Sequence, residues 1–508
     1  MINFTPLLKI YAKKRNTFLS KINYPLIQEK QLFNLLKKGK KTKFGKDHSF
    51  ASMKTIEDYQ RNVPLRTYED FWNDYIKEYF PVLKNILWPG TISYYAVSSG
   101  TTSGNTKYIP YTREMTASNR QAALDLLVFH INNKPDSSIL KGKSFMLGGS
   151  TEMEELAPGI YGGDLSGIAV KEMPRWIRPF YFPNQKLALL KNWEEKIDIL
   201  AHKSLENNIR MISGVPSWLI IFFEKLREIK NDETISIQNY FPHLEMLIHG
   251  GVNFKPYIKQ FQTFLGALQT DLREVYPASE GFIAIADRKY DEGLRLMVDN
   301  MIFYEFVPLE ELHSDNPTRH YIGTVEKNVN YAIILTTCAG LYSYIIGDTV
   351  MFTDLNPPRI KITGRTSFML SAFGEHVIVD EIEDAISAAC DTCDIQLTDY
   401  SVGAIIPETS NELGKHIIIM EPVKQITNSE TLDSFKLAFD KKLCERNDDY
   451  KAHRAEGYGL DLPEILVAEE GTFKQWMKKR GKLGGQNKVP RIINDPELLQ
   501  DLLAFAKK

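Results

Sequence analysis

Cysteine is scarce, with four residues in a chain of 508, too few for a disulfide framework at this length. Two of them, Cys390 and Cys393, form a C-x-x-C, but no second pair completes a zinc site. The spacing of Glu381–Ala389 predicts a helix, so the pair reads as two ordinary thiols near its end. No run of about 20 apolar residues exists, which excludes a helix that spans a bilayer. The N-terminus is amphipathic and lysine-rich but has neither the apolar core nor the small-residue cleavage site of a secretory leader. A cytoplasmic chain with no membrane partner is expected. Charge bias is also missing: 62 Lys and Arg stand against 64 Asp and Glu, a formal net charge of −2. Nothing global therefore attracts nucleic acid, and none is expected as a partner. The one basic run, Lys37-Lys38-Gly39-Lys40-Lys41-Thr42-Lys43, lacks interleaved aromatics and reads as a solvated loop after a helix. Repeats, low-complexity segments and any evident Ser-His-Asp or Cys-His arrangement are absent too.

What remains is an ordinary globular composition, 43% hydrophobic and 25% charged, long enough for about two to four domains. Up to about residue 90 the spacing predicts helices, including Lys30–Lys38 and Tyr68–Tyr79. From about 91 to 365 strand-like runs alternate with helical ones. Strands are predicted at Ser144–Leu147, Met211–Ser213, Met246–His249, Arg273–Tyr276, Ile283–Ala286, Met301–Val307 and Tyr331–Thr337. Helices are predicted at Thr112–Ile131, Trp193–Asn207, Pro216–Lys225 and Pro256–Leu268. Such alternation implies an α/β domain with a mixed, largely parallel sheet. Beyond Gly364-Arg365 the pattern becomes a smaller α+β domain: helix Asp380–Ala389, strands Asp399–Ile406 and His416–Met420, helix Ser429–Lys442. The expected division is 1–365 and 366–508.

Three stretches carry chemistry. "SSGTTSGNTKYIP", Ser98 to Pro110, follows an apolar-aromatic run and crowds hydroxyls, glycines and a lysine into one loop. Glycines let backbone N–H groups approach an anion closely. The spacing is not that of a P-loop, which needs four residues between its glycines and lysine directly after the second. Here three residues separate Gly100 from Gly104, and Lys107 follows three later. The second stretch, Tyr276-Pro277-Ala278-Ser279-Glu280-Gly281, ends an apolar strand, where ligands bind open α/β sheets. A ring, a hydroxyl and a carboxylate there suit a base, a phosphate and Mg²⁺. In the third, Tyr344-Ile345-Ile346-Gly347-Asp348, the aspartate suits a pair of ribose hydroxyls.

Taken in order, these motifs and the Gly-Arg that follows resemble the adenylate-forming superfamily of acyl and aryl ligases. Within it the chain is similar to the GH3 acyl-acid amido synthetases, the family of the auxin- and jasmonate-conjugating enzymes. "SSGTTSGNTKYIP" matches that family's first motif, and "VPLRTYEDF" resembles its N-terminal segment. "LIHGGVNFKPYIKQF" resembles the stretch before its second motif, and "GTFKQWMKKRGKLGGQNKVPR" its C-terminal end in bacterial style. The resemblance runs from about residue 40 to 495. It implies a large ATP- and acyl-binding domain and a small mobile C-terminal domain.

It also implies roles. Ser98, Ser99, Thr101 and Thr102 would hold the ATP phosphates, and Lys107 would add a cation near the pyrophosphate. Gly250 and Gly251 would lie against the adenine, Tyr276 would stack on it, and Ala278 would line the nucleotide. Ser279 would contact the α-phosphate, while Glu280 would carry Mg²⁺, which favours one carboxylate plus phosphate oxygens. Asp348 would bind the ribose and Arg365 the ribose or α-phosphate side. Lys488, from the small domain, would steady the transition state in which a carboxylate meets the phosphate. The implied reaction adenylates a small carboxylic acid and passes its acyl group to an amine, in all expectation an amino acid, releasing pyrophosphate and AMP. An acyl-CoA ligase and a nucleotide-binding sensor without turnover are the alternatives. One departure stands out: plant members have arginine after the tyrosine of the third motif, where this chain has Ile345.

Overall fold

The computed structural model describes residues 3–507 apart from 100–105, 149–152, 189, 191–192, 232–235, 251–253, 255–256, 267–269, 289–291, 313, 367–368, 371–376, 406–413, 427, 448–449, 452–453, 455–459 and 484–487. The chain folds as two compact units. One comprises Met1–Val252 and Phe261–Lys361, the other Asn253–Gln260 and Ile362–Lys508.

The first unit opens with helices Thr5–Leu19, Tyr24–Gly39, Lys43–Asp47 and Ile56–Asn62. Their starts are written in the sequence. Asn23 accepts from Leu26 N, and Thr55 and Thr67 form capping boxes with Asp58 and Asp70. The basic run proves to be helical at both ends instead of a loop. Lys37 and Lys38 finish Tyr24–Gly39, and Lys43 starts the next helix. Lys38 pairs with Glu114 at 3.1 Å and Lys43 with Asp47 at 2.9 Å.

A twelve-stranded sheet forms the centre of this unit. One half is parallel, in the order Tyr181–Phe182, Lys143–Leu147, Ile209–Gly214, Met246–Gly250 and Asp271–Ala278. Long helices, among them Arg113–Asn133, Trp193–Ser204 and Pro216–Lys230, alternate with these strands along the chain. In the other half, Gly281–Ile285, Leu294–Leu296, Pro358–Arg365, Tyr344–Leu355, Asn330–Thr337, Ile302–Pro308 and His320–Tyr321 follow one another, and every recorded pairing there is antiparallel. The alternation of predicted strands and helices therefore belongs to the parallel half alone. The antiparallel strands lack the usual alternation because both faces are covered: all seven residues of Ile302–Pro308 are buried. Buried Gln28, on Tyr24–Gly39, donates to Val298 O and Ile302 O and accepts from Tyr304 N.

Charges deep in this unit are paired. Arg15 spans Asp125 and Asp299 at 2.6 and 2.7 Å, tying the first helix to Arg113–Asn133. Glu305, with no exposure, meets Arg319 at 2.8 Å. The same guanidinium donates to the carbonyls of Gln60 and Val63 and to Ser343 Oγ.

A separate four-stranded sheet contains Tyr94–Ser99 and Thr106–Tyr111 as an antiparallel hairpin, with Ile160–Gly163 parallel to the first and Met153–Ala157 outermost. The second unit has a four-stranded sheet, Glu464–Val467, Lys415–Pro422, Leu397–Ile405, Ile492–Ile493, with an apolar core on each face. Helices Val379–Cys393 and Ser429–Arg446 cover one face, Thr472–Lys479 and Pro496–Ala506 the other. Cys390 and Cys393 lie in the last turn of their helix as thiols and not as a disulfide. Among the described residues no helix is long and apolar enough to cross a membrane.

Removing one partner of a fully buried pair strands the other charge, at a cost of about 3–5 kcal/mol. Glu305→Ala should therefore lower the urea midpoint of the first unit sharply. Arg61→Ala, at an exposed pair with Asp58 whose arginine is 71% accessible, should cost less than about 1 kcal/mol. Comparable shifts from the two would show that the Glu305 pair is not desolvated in solution.

Candidate active site

The second motif lies where the large sheet changes from parallel to antiparallel. Asp271–Ala278 is the last parallel strand, and Ala278 pairs with Gly281, so Ser279 and Glu280 form a two-residue hairpin turn. A turn would ordinarily face water, yet Glu280 is only 8% exposed. Its carboxyl accepts from the Tyr344 hydroxyl, and burial pushes its pKa up. The negative charge of Asp348 adds to that rise, while the Lys107 cation opposes it. Burial and the Glu280 charge together raise the Tyr344 phenol well above its ordinary value, so it stays a donor.

Asp348 reaches this place through a bulge. Ile334 pairs with Ile345 and Ala332 with Thr349, so three residues, Ile346 to Asp348, stand opposite Ile333 alone. Gly347 takes φ +92° there, a conformation that suits glycine. The bulge breaks the strand's alternation, and Asp348 Oδ2 accepts from the Tyr276 hydroxyl at 2.5 Å. That bond joins the second motif to the third. Gly250 lies beside the same strand, in register with Val275. A Cβ there would fall 2.2 Å from Val275 O, so only glycine allows the approach.

The first motif is the end of the hairpin in the small sheet. Ser98 pairs with Lys107 and Ser99 with Thr106, so the glycine-rich stretch joins two strands instead of leading from a strand into a helix. The Lys107 ammonium lies 5.5 Å from the Tyr68 ring centroid, and Tyr68 Oη accepts from Tyr108 N at 2.8 Å. Two residues before Tyr68, Arg66 donates its N–H to Ser343 O, and its carbonyl accepts from Ile345 N. The segment "VPLRTYEDF" thus touches the first motif with one residue and the third with another.

The structure thereby brings Tyr276, Glu280, Asp348 and Lys107 into one electrostatic neighbourhood, with Gly250, Ala278 and Ser279 on the same strand pair. Ser98 and Ser99 end their strand beside Lys107. Thr101, Thr102 and Gly251 lie outside the described residues. In the second unit, Arg365 ends Pro358–Arg365 half-buried, and Lys488 is exposed. Near Lys488 the chain is well held: Arg491 pairs with Asp399 and donates to Tyr400 O and Tyr257 Oη, and Ser401 Oγ donates to Pro490 O. Sequence reasoning missed Tyr344 and Tyr68 as functional groups. Tyr344 was visible as the first residue of its motif, but only its contact with Glu280 gives it a role.

Chemically, two neighbouring carboxylates with one lysine suit a cation that bridges to anionic oxygens. Among the described residues no group of three or more His, Cys, Asp or Glu could hold a metal alone. Glu280, a buried carboxyl with Asp348 nearby, is a donor of the kind Mg²⁺ takes when one or two protein carboxylates share it with ligand phosphates.

Comparison with known proteins adds to this geometry. The GH3 family N-terminal domain matches residues 20–270, the central domain 295–365 and the C-terminal domain 380–497. The chain is 22% identical over 547 residues to indole-3-acetic acid-amido synthetase GH3.4 of Arabidopsis thaliana, covering 92% of this chain and 89% of that protein. It is 21% identical to jasmonoyl--L-amino acid synthetase JAR4 of Nicotiana attenuata, covering 93% and 92%. The match to indole-3-acetic acid-amido synthetase GH3.3 of Arabidopsis, at 26% identity, covers 51% of this chain and 44% of that protein. The solved structure of GH3.15 acyl acid amido synthetase superposes with a TM-score of 0.80 at 17% identity, covering 99% and 97%. A 2-hydroxyisobutyryl-CoA ligase superposes at 0.61 and 13% identity, covering 95% and 91%. These structural likenesses concern the fold.

The raised Glu280 pKa has a stability consequence with a definite sign. The folded state favours the protonated acid more than the unfolded state does, so stability falls as pH rises from the ordinary glutamate range through the raised value. Glu280→Gln should therefore be more stable than the parent at pH 7, by a margin that shrinks toward pH 4. Urea titrations of both proteins at several pH values check this; a margin independent of pH would mean that Glu280 is not destabilised by burial.

Proposed function

The chain belongs to the GH3 family, and on that footing we propose that it adenylates a small carboxylic acid with ATP and transfers the acyl group to an amino acid. The observation that carries this reading is the convergence of the second and third motifs, through the Tyr276–Asp348 bond, on a buried Glu280 beside Lys107. A nucleotide needs a flat apolar contact, a ribose acceptor and charge compensation for its phosphates. Tyr276, Asp348 and the Lys107–Glu280 pair are groups of those types.

In the first half-reaction a carboxylate oxygen of the acid attacks the α-phosphorus of ATP, and the bond to the β-phosphate oxygen breaks. The products are the acyl-adenylate and pyrophosphate. In the second, the amine attacks the acyl carbon of the mixed anhydride, loses a proton to solvent and releases AMP. No covalent enzyme intermediate is required. Two anions must meet in the first step, so its barrier is electrostatic, and the residues needed are donors and cations fixed before the reaction begins. Ser98, Ser99, Thr101 and Thr102 would bind phosphate oxygens, with Lys107 near the leaving pyrophosphate. Ser279 would hold the α-phosphate at the hairpin turn, with Ala278 lining the nucleotide. Gly250 and Gly251 would face the adenine and Tyr276 its ring plane. Asp348 would accept from the ribose, and Arg365 would contact the ribose or α-phosphate. Mg²⁺ on Glu280 would neutralise phosphate charge. The division of labour proposed is an ATP- and acyl-binding part over residues 1–365 and a mobile part over 366–508 that presents Lys488.

Pyrophosphate release over a panel of carboxylic acids, with and without amino acids, tests the reading directly. Acid-dependent release followed by amide formation is the expected result. A coenzyme A thioester in place of an amide would reassign the second step, and no release with any acid would leave a nucleotide sensor.

Asp348→Ala should weaken ATP binding by about 10–150-fold, the value of about 1.5–3 kcal/mol for a charged acceptor lost from a buried ligand. Unchanged affinity by calorimetry would reduce Asp348 to the partner of Tyr276. Lys488 is proposed to act only when its part closes, meeting charge that develops in the transition state. Lys488→Ala should then slow adenylation by about 10²–10³ with little change in ATP affinity, and Lys482→Ala should be nearly silent. Equal effects of the two substitutions on pyrophosphate release would sink the assignment.

A further inference from the structure

The first helix, Thr5–Leu19, has apolar residues on two sides, and the core accounts for one of them. Leu8, Ala12 and Leu19 are buried in the core with Ala122, Leu126 and Phe129, and the Arg15 pairs with Asp125 and Asp299 hold the helix down. On the outward side Leu7, Ile10, Lys14 and Phe18 recur at steps of three and four, so they share one stripe. Leu7 is 63% exposed and Ile10 59%. Among the described residues eleven large hydrophobic side chains are exposed, and five of them, Phe4, Leu7, Ile10, Phe18 and Leu26, fall in the first 26 positions. Single exposed apolar residues need no explanation, but a concentration of them does.

The apolar surface continues beyond the helix. Phe4 meets Phe180 edge to face, with ring centroids 5.5 Å apart. Four residues before Phe180 stands Trp176, the most exposed of the eleven at 75%. Exposed Arg175 and Arg178 flank it, and no acid occurs from Met173 to Pro183. The first acid of the chain is Glu29, after five cations, of which Lys13, Lys14 and Lys21 are exposed. Beside the helix start, where Leu140 N donates to Thr5 Oγ1 at 3.1 Å, the chain carries Lys134, Lys141 and Lys143 against the single acid Asp136. This surface is therefore apolar and cationic at once.

Its shape and charge select the occupant. A stripe on one helix is a ridge, whereas a helical or proline-rich peptide docks in a groove. A second copy of the chain would set these cations against their own images across a two-fold axis. A bilayer surface meets neither objection. Aliphatic and aromatic side chains enter the headgroup boundary, while lysines and arginines reach anionic phosphates on their long stems. We propose that the outward face of helix Thr5–Leu19, with Trp176 and its two arginines, is a docking surface for anionic phospholipid membranes. This is adsorption and not a span, and it departs from the expectation of no membrane partner. It does not rest on the function proposed above.

The test is flotation of the full chain with vesicles of phosphatidylcholine and phosphatidylglycerol in a two-to-one ratio, against vesicles of phosphatidylcholine alone. Binding to the mixed vesicles is expected, at least about tenfold stronger than to the neutral ones and lost as salt rises from about 50 to about 300 mM. Lys13→Gln with Lys14→Gln should weaken it at least about tenfold. Leu7→Ser with Ile10→Ser, and separately Trp176→Ala, should each weaken it at least about fivefold. These side chains are exposed, where substitution costs little stability. Leu437→Ser, at a comparably exposed leucine on helix Ser429–Arg446, should change nothing. No binding to the mixed vesicles overturns the proposal, as does equal binding to both vesicle types. Binding that survives both the lysine pair and the Leu7, Ile10 pair places the contact elsewhere and overturns it too. A parent that sediments as a dimer, and becomes monomeric with Leu7→Ser and Ile10→Ser, would give the face to a second copy instead.

Discussion

The buried ion pair of Glu305 and Arg319 holds the antiparallel half of the large sheet in register. Glu305 lies in strand Ile302–Pro308, and Arg319 immediately precedes strand His320–Tyr321. Arg319 also binds two carbonyls at the end of Ile56–Asn62, and Gln60 Nε2 donates back to Glu305. Such a pair gains little over an apolar replacement; what it supplies is geometry. Ser343 Oγ lies between the carboxylate and Tyr59 Oη, at 3.1 and 2.9 Å, and Ser343 N donates to Thr336 Oγ1. These bonds fix Ser343 at φ +49°, a left-handed conformation that serine does not choose unaided. The next residue is Tyr344. Its hydroxyl reaches Glu280 because the residue before it is clamped from three sides.

Glu280 and Asp348 then show how a site can be held ready for charge. Each carboxyl has one tyrosine hydroxyl, Tyr344 for the first and Tyr276 for the second. Burial raises the cost of the Glu280 charge, and the neighbouring Asp348 adds to it. Lys107 offsets part of it from the opposing hairpin. A cation with an anionic ligand would offset the rest. The same features that lower stability therefore favour binding of such a pair, as expected where perturbed groups cluster at a functional site. Tyr68 and Arg66 contribute at one remove. One lies against Lys107 and the other pairs its backbone with Ser343 and Ile345, so a single capped turn sets the first and third motifs against a common frame.

Much of this was legible before any coordinates. Period and composition located Met246–Gly250, Asp271–Ala278, Ile302–Pro308 and Arg113–Asn133 to within a few residues, because buried parallel strands and long amphipathic helices leave strong local signals. The hairpin Tyr344–Leu355 with Pro358–Arg365 was not predicted: its first strand carries a glycine and an aspartate, and both argue against a strand when read locally. Those residues belong to a bulge, which is a tertiary feature. The basic run was misjudged for a related reason. Charge composition predicts solvation well and local conformation poorly, and Lys37 and Lys38 suit a helix C-terminus. Segment Asn253–Gln260 groups with the second unit although more than a hundred residues separate it from the rest of that unit in sequence. No local pattern reports a contact such as that of Arg491 with Tyr257.

The departure at Ile345 finds its explanation in the same strand. Before the bulge begins, successive side chains point to opposite faces, so the Tyr344 ring and the Ile345 side chain cannot both face Glu280. Ile345 instead joins an apolar cluster with Val307, Leu312, Ala332 and Ile334, and Leu65 packs there as well. An arginine at this position would project its guanidinium into that cluster, where Val307, Ala332 and Ile334 have no exposure. Without a buried acid to meet it, the charge would have to find another way out. The surrounding residues thus match isoleucine. What the strand must deliver to the site is the tyrosine before it and the aspartate three residues after it, and the Gly347 bulge returns Asp348 to the site after Ile345 has turned away.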